Sequence, residues 1–161
     1  MIESALTNAV SPSKAVGFWQ FLEATGKQYG LEINKEVDMR YNVEKETVAA
    51  CKYLKESYRK FGSWTLAAAA FNCGNGRITK TQEEQRVDSY YDMQLPEETQ
   101  RYMFRILALK LITESPETYG YQISDNGWYR PYETKTVTVT QSIPDLVQFA
   151  YEQGTNYKML K

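Results

Sequence analysis

Ser63-Trp64-Thr65-Leu66-Ala67-Ala68-Ala69-Ala70-Phe71-Asn72-Cys73-Gly74 is the stretch on which the fold class turns. Ser63 is an N-cap residue, whose hydroxyl oxygen can accept a free amide of the first helical turn, and Gly74 is a stop that enters unusual backbone conformations cheaply. Between them run four consecutive alanines, Ala67 to Ala70. Alanine favours helix and adds no bulk, so a helix carrying it on every side lets neighbouring backbones approach closely. Trp64 to Asn72 is therefore predicted as the buried central helix of a mainly α domain.

Working outward, Thr47 to Phe61 sets Val48, Cys51, Leu54, Tyr58 and Phe61 at steps of three and four, with Lys52, Lys55, Glu56 and Arg59 opposite. That spacing predicts an amphipathic helix stopped by Gly62. Leu95-Pro96 opens another, with Pro96 in the first turn and Glu97 and Glu98 complementing the helix dipole. It carries Tyr102, Met103, Ile106, Leu107, Leu109 and Ile112 and runs to about Thr113. Glu23 to Tyr29 reads as a short helix ended by Gly30, and the polar run Thr79 to Asp92 as a surface excursion. Beyond Pro116 the character changes. Val137 and Val139 alternate with threonines across Thr134 to Thr140, which predicts a strand, and Asp145 to Gln153 reads as a short helix closed by Gly154. The expected organisation is a main helical domain over residues 1–120 and a small α/β appendage over 121–161.

Composition removes several classes of function. A chain of 161 residues, 42% hydrophobic and 24% charged, forms one domain with a core, and neither disorder nor a membrane span is expected. A net charge of −1 lacks the basic footprint of a nucleic-acid binder. With no histidine, Ser-His-Asp, Cys-His and His-ligated metal chemistry are excluded. Carboxylates, tyrosines, lysines and backbone groups remain, and no metal or cofactor is expected. The 13 tyrosines suit a sugar-lined groove, and equally the rim of a small core with wet hydroxyls. Cys51 and Cys73 read as buried thiols rather than a disulfide. No basic start followed by an apolar run precedes Glu3, so no export signal is expected within the chain.

One ordered series of short motifs is far more specific than any of its members. It runs Glu3-Ser4, then Ala9-Val10-Ser11-Pro12-Ser13-Lys14-Ala15-Val16-Gly17-Phe18-Trp19-Gln20-Phe21, Thr25-Gly26 and Tyr29-Gly30-Leu31. Val37-Asp38-Met39-Arg40, Ala49-Ala50 with Tyr53-Leu54, Leu66 to Gly76, and Leu95 to Thr99 with Tyr102 complete it. Over about residues 3 to 120 this order resembles the soluble-lytic-transglycosylase domain family. The resemblance implies a lysozyme-like helical fold of the goose-type lysozyme and transglycosylase kind, with Glu3 as the catalytic residue. It implies peptidoglycan glycan strands as substrate, cleaved between N-acetylmuramic acid and N-acetylglucosamine to leave a 1,6-anhydro end, and a place in the bacterial cell envelope or periplasm. It also implies that Ser11 and Gln20 line the cleft beside Glu3, that Asn72 hydrogen-bonds the substrate's N-acetyl group, and that Tyr102 reaches the cleft from its helix.

The chemistry fits these residue types. Breaking a glycosidic bond needs a protonated acid beside the leaving oxygen, and most glycosidases add a second carboxylate. Here the substrate's acetamido oxygen can stabilise the anomeric carbon, after which the same carboxylate removes the proton from the sugar's C6 hydroxyl. The acid must begin protonated, so Glu3 is expected against an apolar wall, for which Trp19, Phe21 and Phe71 are candidates. Phe21 and Phe71 are thereby counted among the substrate-binding residues. Glu98 reads as a helix-end residue, Asp38 and Arg40 as a loop-pinning ion pair, and Trp64 as core.

Three positions depart from the family's pattern. Phe71 stands where the family usually has a tyrosine whose hydroxyl holds the catalytic carboxyl, and Lys14 stands where glycine is common. A helix leads into the catalytic Glu in the family, whereas Met1 and Ile2 precede it here, so either upstream sequence has been cut away or another segment supports it. The stretch from Thr134 to Lys161 resembles the opening of a LysM-type peptidoglycan-binding module, with a structural strap as the other reading. Two alternatives to the transglycosylase stay open: a hydrolytic lysozyme of the same fold, and a non-catalytic peptidoglycan-binding scaffold. A monomer is expected.

Overall fold

The computed structural model describes residues 1–122, 124 and 133–160. By contact density the chain divides into two compact units, Met1–Gln122 and Ile123–Lys161.

In the first unit the elements follow the order α1 (Glu23–Gln28), a 3-10 turn (Met39–Tyr41), α2 (Val43–Phe61) and α3 (Trp64–Cys73). They continue with α4 (Asn75–Gln85), a second 3-10 turn (Tyr90–Asp92), α5 (Glu97–Glu114) and a third 3-10 turn (Pro116–Tyr119). The punctuation read from the sequence acts as expected. Ser63 Oγ accepts the Leu66 amide at 3.5 Å at the start of α3, and Gly74 ends it with φ +90°. Gly62 ends α2 in the left-handed region with φ +69°. The start of α2 lies four residues earlier than Thr47, because Asn42 caps it by accepting the Lys45 amide at 3.0 Å.

Helix α3 is the central helix. Leu66, Ala67, Ala69 and Ala70 are buried, and the helix lies between two apolar clusters. One cluster joins Phe21, Tyr29, Leu31, Ile33, Ala49, Ala50 and Tyr53; the other joins Leu66, Ala69, Ala70, Ile78, Tyr90, Met93 and Leu95. Alanines at the junction bring α2 close enough for the Tyr53 hydroxyl to donate to the Ala70 carbonyl at 2.8 Å.

Several expectations are corrected by packing. The buried face of α2 is Glu46, Ala49, Ala50, Tyr53 and Ser57, not the stripe of Val48, Cys51, Leu54, Tyr58 and Phe61. Close approach to the alanines of α3 favours Ala49, Ala50 and Ser57 there, while Val48 turns outward to 55% exposure and Cys51 and Tyr58 are also exposed; Leu54 and Phe61 stay half-buried, Phe61 against the second cluster. Cys51 is accordingly an exposed thiol, while Cys73 is half-buried, and both are free. Trp64 is 57% exposed and stacks on Tyr58 at 4.3 Å between ring centroids, so it is no core residue. The polar run after Gly74 holds helix α4, whose Ile78 and Thr81 point inward beneath a polar surface. The following turn buries Tyr90, which donates to the Thr99 carbonyl at 2.7 Å.

The second unit carries α6 (Leu146–Glu152) and α7 (Tyr157–Leu160). Asp145 caps α6, its Oδ1 accepting the Val147 and Gln148 amides at 2.9 and 3.0 Å. The strand expected over Thr134 to Thr140 is not formed: these residues are exposed and pair with no described residue in strand fashion. A strand is stabilised by its ladder, and alternation alone provides no partner. Among the described residues the only extended pairings are isolated bridges such as Val10 with Val16 and Val16 with Phe21. No helix among them is long and apolar enough to cross a membrane.

Candidate active site

Glu3 sits in an N-terminal turn closed by the Ala5 amide donating to the Met1 carbonyl at 2.9 Å. Three contacts hold this turn against the rest of the unit. Buried Ser4 donates to the Phe18 carbonyl at 2.9 Å, Arg105 reaches the Ile2 carbonyl at 3.4 Å, and the Tyr102 hydroxyl donates to Glu3 Oε1. Support for the acid thus comes from α5 and from the loop carrying Phe18.

A cleft of about 460 Å³ opens on Glu3 and is lined also by Ser11, Gln20, Phe21, Tyr53, Phe71, Asn72 and Glu98. Behind Glu3 lies a more apolar cavity of about 640 Å³, whose walls include Ile2, Phe18, Trp19, Phe71 and Ile106. The carboxyl therefore stands at the junction of a polar groove and an apolar pocket. Burial raises its pKa above the ordinary carboxylate value, the Tyr102 hydrogen bond opposes the rise, and the Glu98 charge adds to it. Tyr102 is itself pushed up, first by burial and then by the Glu3 charge, so it remains a donor to the carboxyl.

The structure brings Glu3, Ser11, Gln20, Phe21, Phe71 and Asn72 to one groove. Tyr102 is not part of its lining and meets Glu3 from behind. The aromatic wall is a packed unit: Phe71 meets Trp19, Phe21 and Tyr53 edge to face at 5.7, 5.8 and 5.2 Å. Asn72 is oriented by Thr99, whose hydroxyl donates to Asn72 Oδ1 at 2.8 Å and leaves the amide NH2 for the cleft. Gln20 lies in the left-handed region with φ +52° and donates its amide to the Ala9 and Gly17 carbonyls at 2.9 and 2.7 Å. Strained backbone of this kind is kept where surrounding bonds over-determine it. Ser11 Oγ accepts the Ala15 amide at 2.9 Å and so shapes the same rim.

The Asp38–Arg40 pair is formed at 2.7 Å, and Arg40 also donates to the Lys14 and Phe21 carbonyls at 3.3 and 3.2 Å, pinning the loop between them. Lys14 adopts φ +62°, so the turn that glycine usually makes is retained, at a cost of about 1 kcal/mol. Sequence reading missed Thr99 and the true role of Tyr102. The spacing of Thr99 and Tyr102, one helical turn apart on α5, was the available sign that both face the same side. Among the described residues no group of His, Cys, Asp and Glu is placed to hold a metal ion.

A helical domain with one half-buried acid set between an open groove and an apolar pocket is a lysozyme-like arrangement. The chain belongs to the transglycosylase SLT family: residues 1–94 match the family described as Transglycosylase SLT domain. Residues 135–161 match the Soluble lytic transglycosylase C-terminal LysM-like domain. Membrane-bound lytic murein transglycosylase D of Escherichia coli (strain K12) is 33% identical over 129 residues, covering 76% of this chain and 28% of that protein. A putative tributyltin chloride resistance protein of Alteromonas sp. (strain M-1) is 34% identical over 82 residues, covering 50% of this chain and 40% of that protein. The chain spans less than half the length of either relative.

Proposed function

We propose that this chain is the catalytic domain of a peptidoglycan lytic transglycosylase of the bacterial cell envelope, cleaving the β-1,4 bond between N-acetylmuramic acid and N-acetylglucosamine. The observation that carries the reading is the placement of Glu3, a carboxyl with a raised pKa that faces the groove containing Asn72. Family membership and the likeness to a murein transglycosylase support it.

Glu3 begins protonated and gives its proton to the glycosidic oxygen as the bond to the anomeric carbon breaks. The substrate's acetamido oxygen closes on that carbon, oriented by a hydrogen bond from the Asn72 amide. Glu3, now a carboxylate, takes the proton of the C6 hydroxyl, and the C6 oxygen displaces the acetamido group to form the 1,6-anhydro ring. The proton returns to Glu3 and water takes no part. Tyr102 donates to one carboxyl oxygen throughout, steadying the acid where the family's usual tyrosine is replaced by Phe71. Ser11, Gln20 and Phe21 shape the sugar-binding rim, and residues 135–161 contribute to holding the glycan.

Glu98 lines the same cleft and favours a second reading, a hydrolase in which it serves as the second carboxylate. Mass spectrometry of products from purified sacculi separates the two. Anhydromuramic ends that vanish with Glu3→Gln support the transglycosylase; reducing ends identify the hydrolase; intact sacculi refute both.

A further inference from the structure

Glu46, on α2, is the most anomalous side chain in the first unit. It is fully buried, no side chain donates to its carboxyl oxygens, and the only donors near them are the backbone amides of the loop that covers it. Burying a carboxyl with backbone amides as its sole compensation is costly, so its surroundings identify what it serves. Those surroundings are the loop that carries Gln20. A Cβ added to Gly17, at φ +86°, would lie 2.5 Å from Glu46 Oε1 and 2.0 Å from the Arg40 carbonyl oxygen, so the loop rests directly on both groups. Backbone amides of Trp19, Phe18 and Phe21 favour its charged form, while burial pushes the carboxyl up to about 7.

The loop is also fastened by bonds that do not involve Glu46. Val16 and Phe21 exchange backbone hydrogen bonds at 3.1 Å, Arg40 grips the Lys14 and Phe21 carbonyls, and the Trp19 indole donates to Thr47 at 2.9 Å. From the outer side the middle of the loop is tied by Ser4 donating to the Phe18 carbonyl and by the Gly17 amide and Gln20 side chain donating to the Ala9 carbonyl; on its inner side, at Gly17, it lies against Glu46. The charged group facing Glu46 is Arg40, from the 3-10 turn, with Asp38 paired behind it. From the loop itself it meets glycine, aromatic residues and backbone.

We propose that Glu46 is a positioning residue for substrate binding: its buried carboxyl, seated under Gly17 to Phe21, sets where Gln20 and the Phe21 wall stand in the cleft. This rests on the function proposed above, since the loop's place matters only if the cleft takes a glycan. Its mechanical part stands apart from activity. A carboxyl that changes charge beneath the loop moves the loop's amides, and Trp19 is the reporter closest to them.

The test uses the full chain labelled with fluorotryptophan, followed by fluorine NMR, with Trp19 assigned by Trp19→Phe. The Trp19 resonance is expected to titrate between about pH 5 and 8 in the wild type and to stay fixed in Glu46→Gln, which keeps the shape without the charge. With sacculi or soluble muropeptides, Glu46→Ala is expected to raise KM on the order of ten-fold and to change kcat less. A Trp19 resonance that titrates alike in wild type and Glu46→Gln, or in neither, overturns the proposal, as does a loss confined to kcat. Should Glu46→Ala fail to fold, Glu46→Gln decides the matter through the resonance and the pH dependence of KM. If the wild type cleaves nothing, the functional reading fails while the resonance still judges Glu46.

Discussion

Two carboxyl groups occupy contrasting regions of the first unit. Glu3 stands in a short turn at the edge of the groove, held by a tyrosine from α5 and open to a ligand. Glu46 lies sealed between α2 and the loop of residues 15–21, with only backbone amides of that loop beside its carboxyl and no opening to solvent. Both are pushed up by burial, yet only Glu3 opens on a groove. The difference teaches that a raised acid becomes catalytic through access and through a donor that leaves one oxygen available, whereas a raised acid without access acts on the backbone above it.

The sharpest way to break that contrast is to neutralise the open acid. Glu3→Gln is expected to lower turnover on sacculi by about a thousand-fold with an unchanged melting curve, measured by muropeptide release. Retained turnover would move catalysis elsewhere, to Glu98 first. On the closed side, Gly17→Ala forces a Cβ against the Arg40 carbonyl and the Glu46 carboxyl. A destabilisation of about 3 kcal/mol is expected in urea unfolding, since backbone cannot yield as a flexible side chain does.

Glu46 also makes a pH-dependent contribution whose sign is set by its raised pKa. The folded state holds this proton more tightly than the unfolded one, so stability present below about pH 4.5 is lost as pH rises towards 7. The loss is up to roughly 3 kcal/mol. Glu46→Gln is expected to remove that decline; an unaltered slope in chemical denaturation would show that the carboxyl does not titrate there.

Smaller effects sharpen the open side. Tyr102→Phe removes the bond that lowers the Glu3 pKa, so the alkaline limb of the rate profile is expected to move upward and turnover to fall about ten-fold. An unmoved limb would separate Tyr102 from the acid. Thr99→Val frees the Asn72 amide to rotate and is expected to lower kcat/KM about five-fold, equivalent to one hydrogen bond.

Helix ends were the most legible part of the fold, because caps and stops are local chemistry. Ser63, Gly62 and Gly74 act where their residue types indicate. Which face of α2 turns inward was not legible. A hydrophobicity pattern selects Val48, Cys51 and Leu54, but the neighbour is an alanine-covered helix, and closeness there favours Ala49, Ala50 and Ser57. Helix α4 was hidden for a related reason, since two inward residues, Ile78 and Thr81, are too few to stand out in a polar run.

Within the candidate site the residue types and their order were readable: Glu3, Ser11, Gln20, Phe21, Phe71 and Asn72 meet around one groove. Their supports were not. Thr99 and Tyr102 gain their parts only when α5 crosses behind the groove, 27 residues from Asn72 and 99 from Glu3 along the chain. Glu46, from sequence, is one more acid just ahead of the helix predicted to begin at Thr47. Sequence alone determined the helical class, the helix ends marked by Gly62, Ser63 and Gly74, and the candidate residues that line one groove, because these depend on residues close in the chain or on the chemistry of a side chain. Tertiary structure decided which acid is open, which is sealed and what each leans on, because burial and long-range contact belong to the packed chain and to no residue by itself.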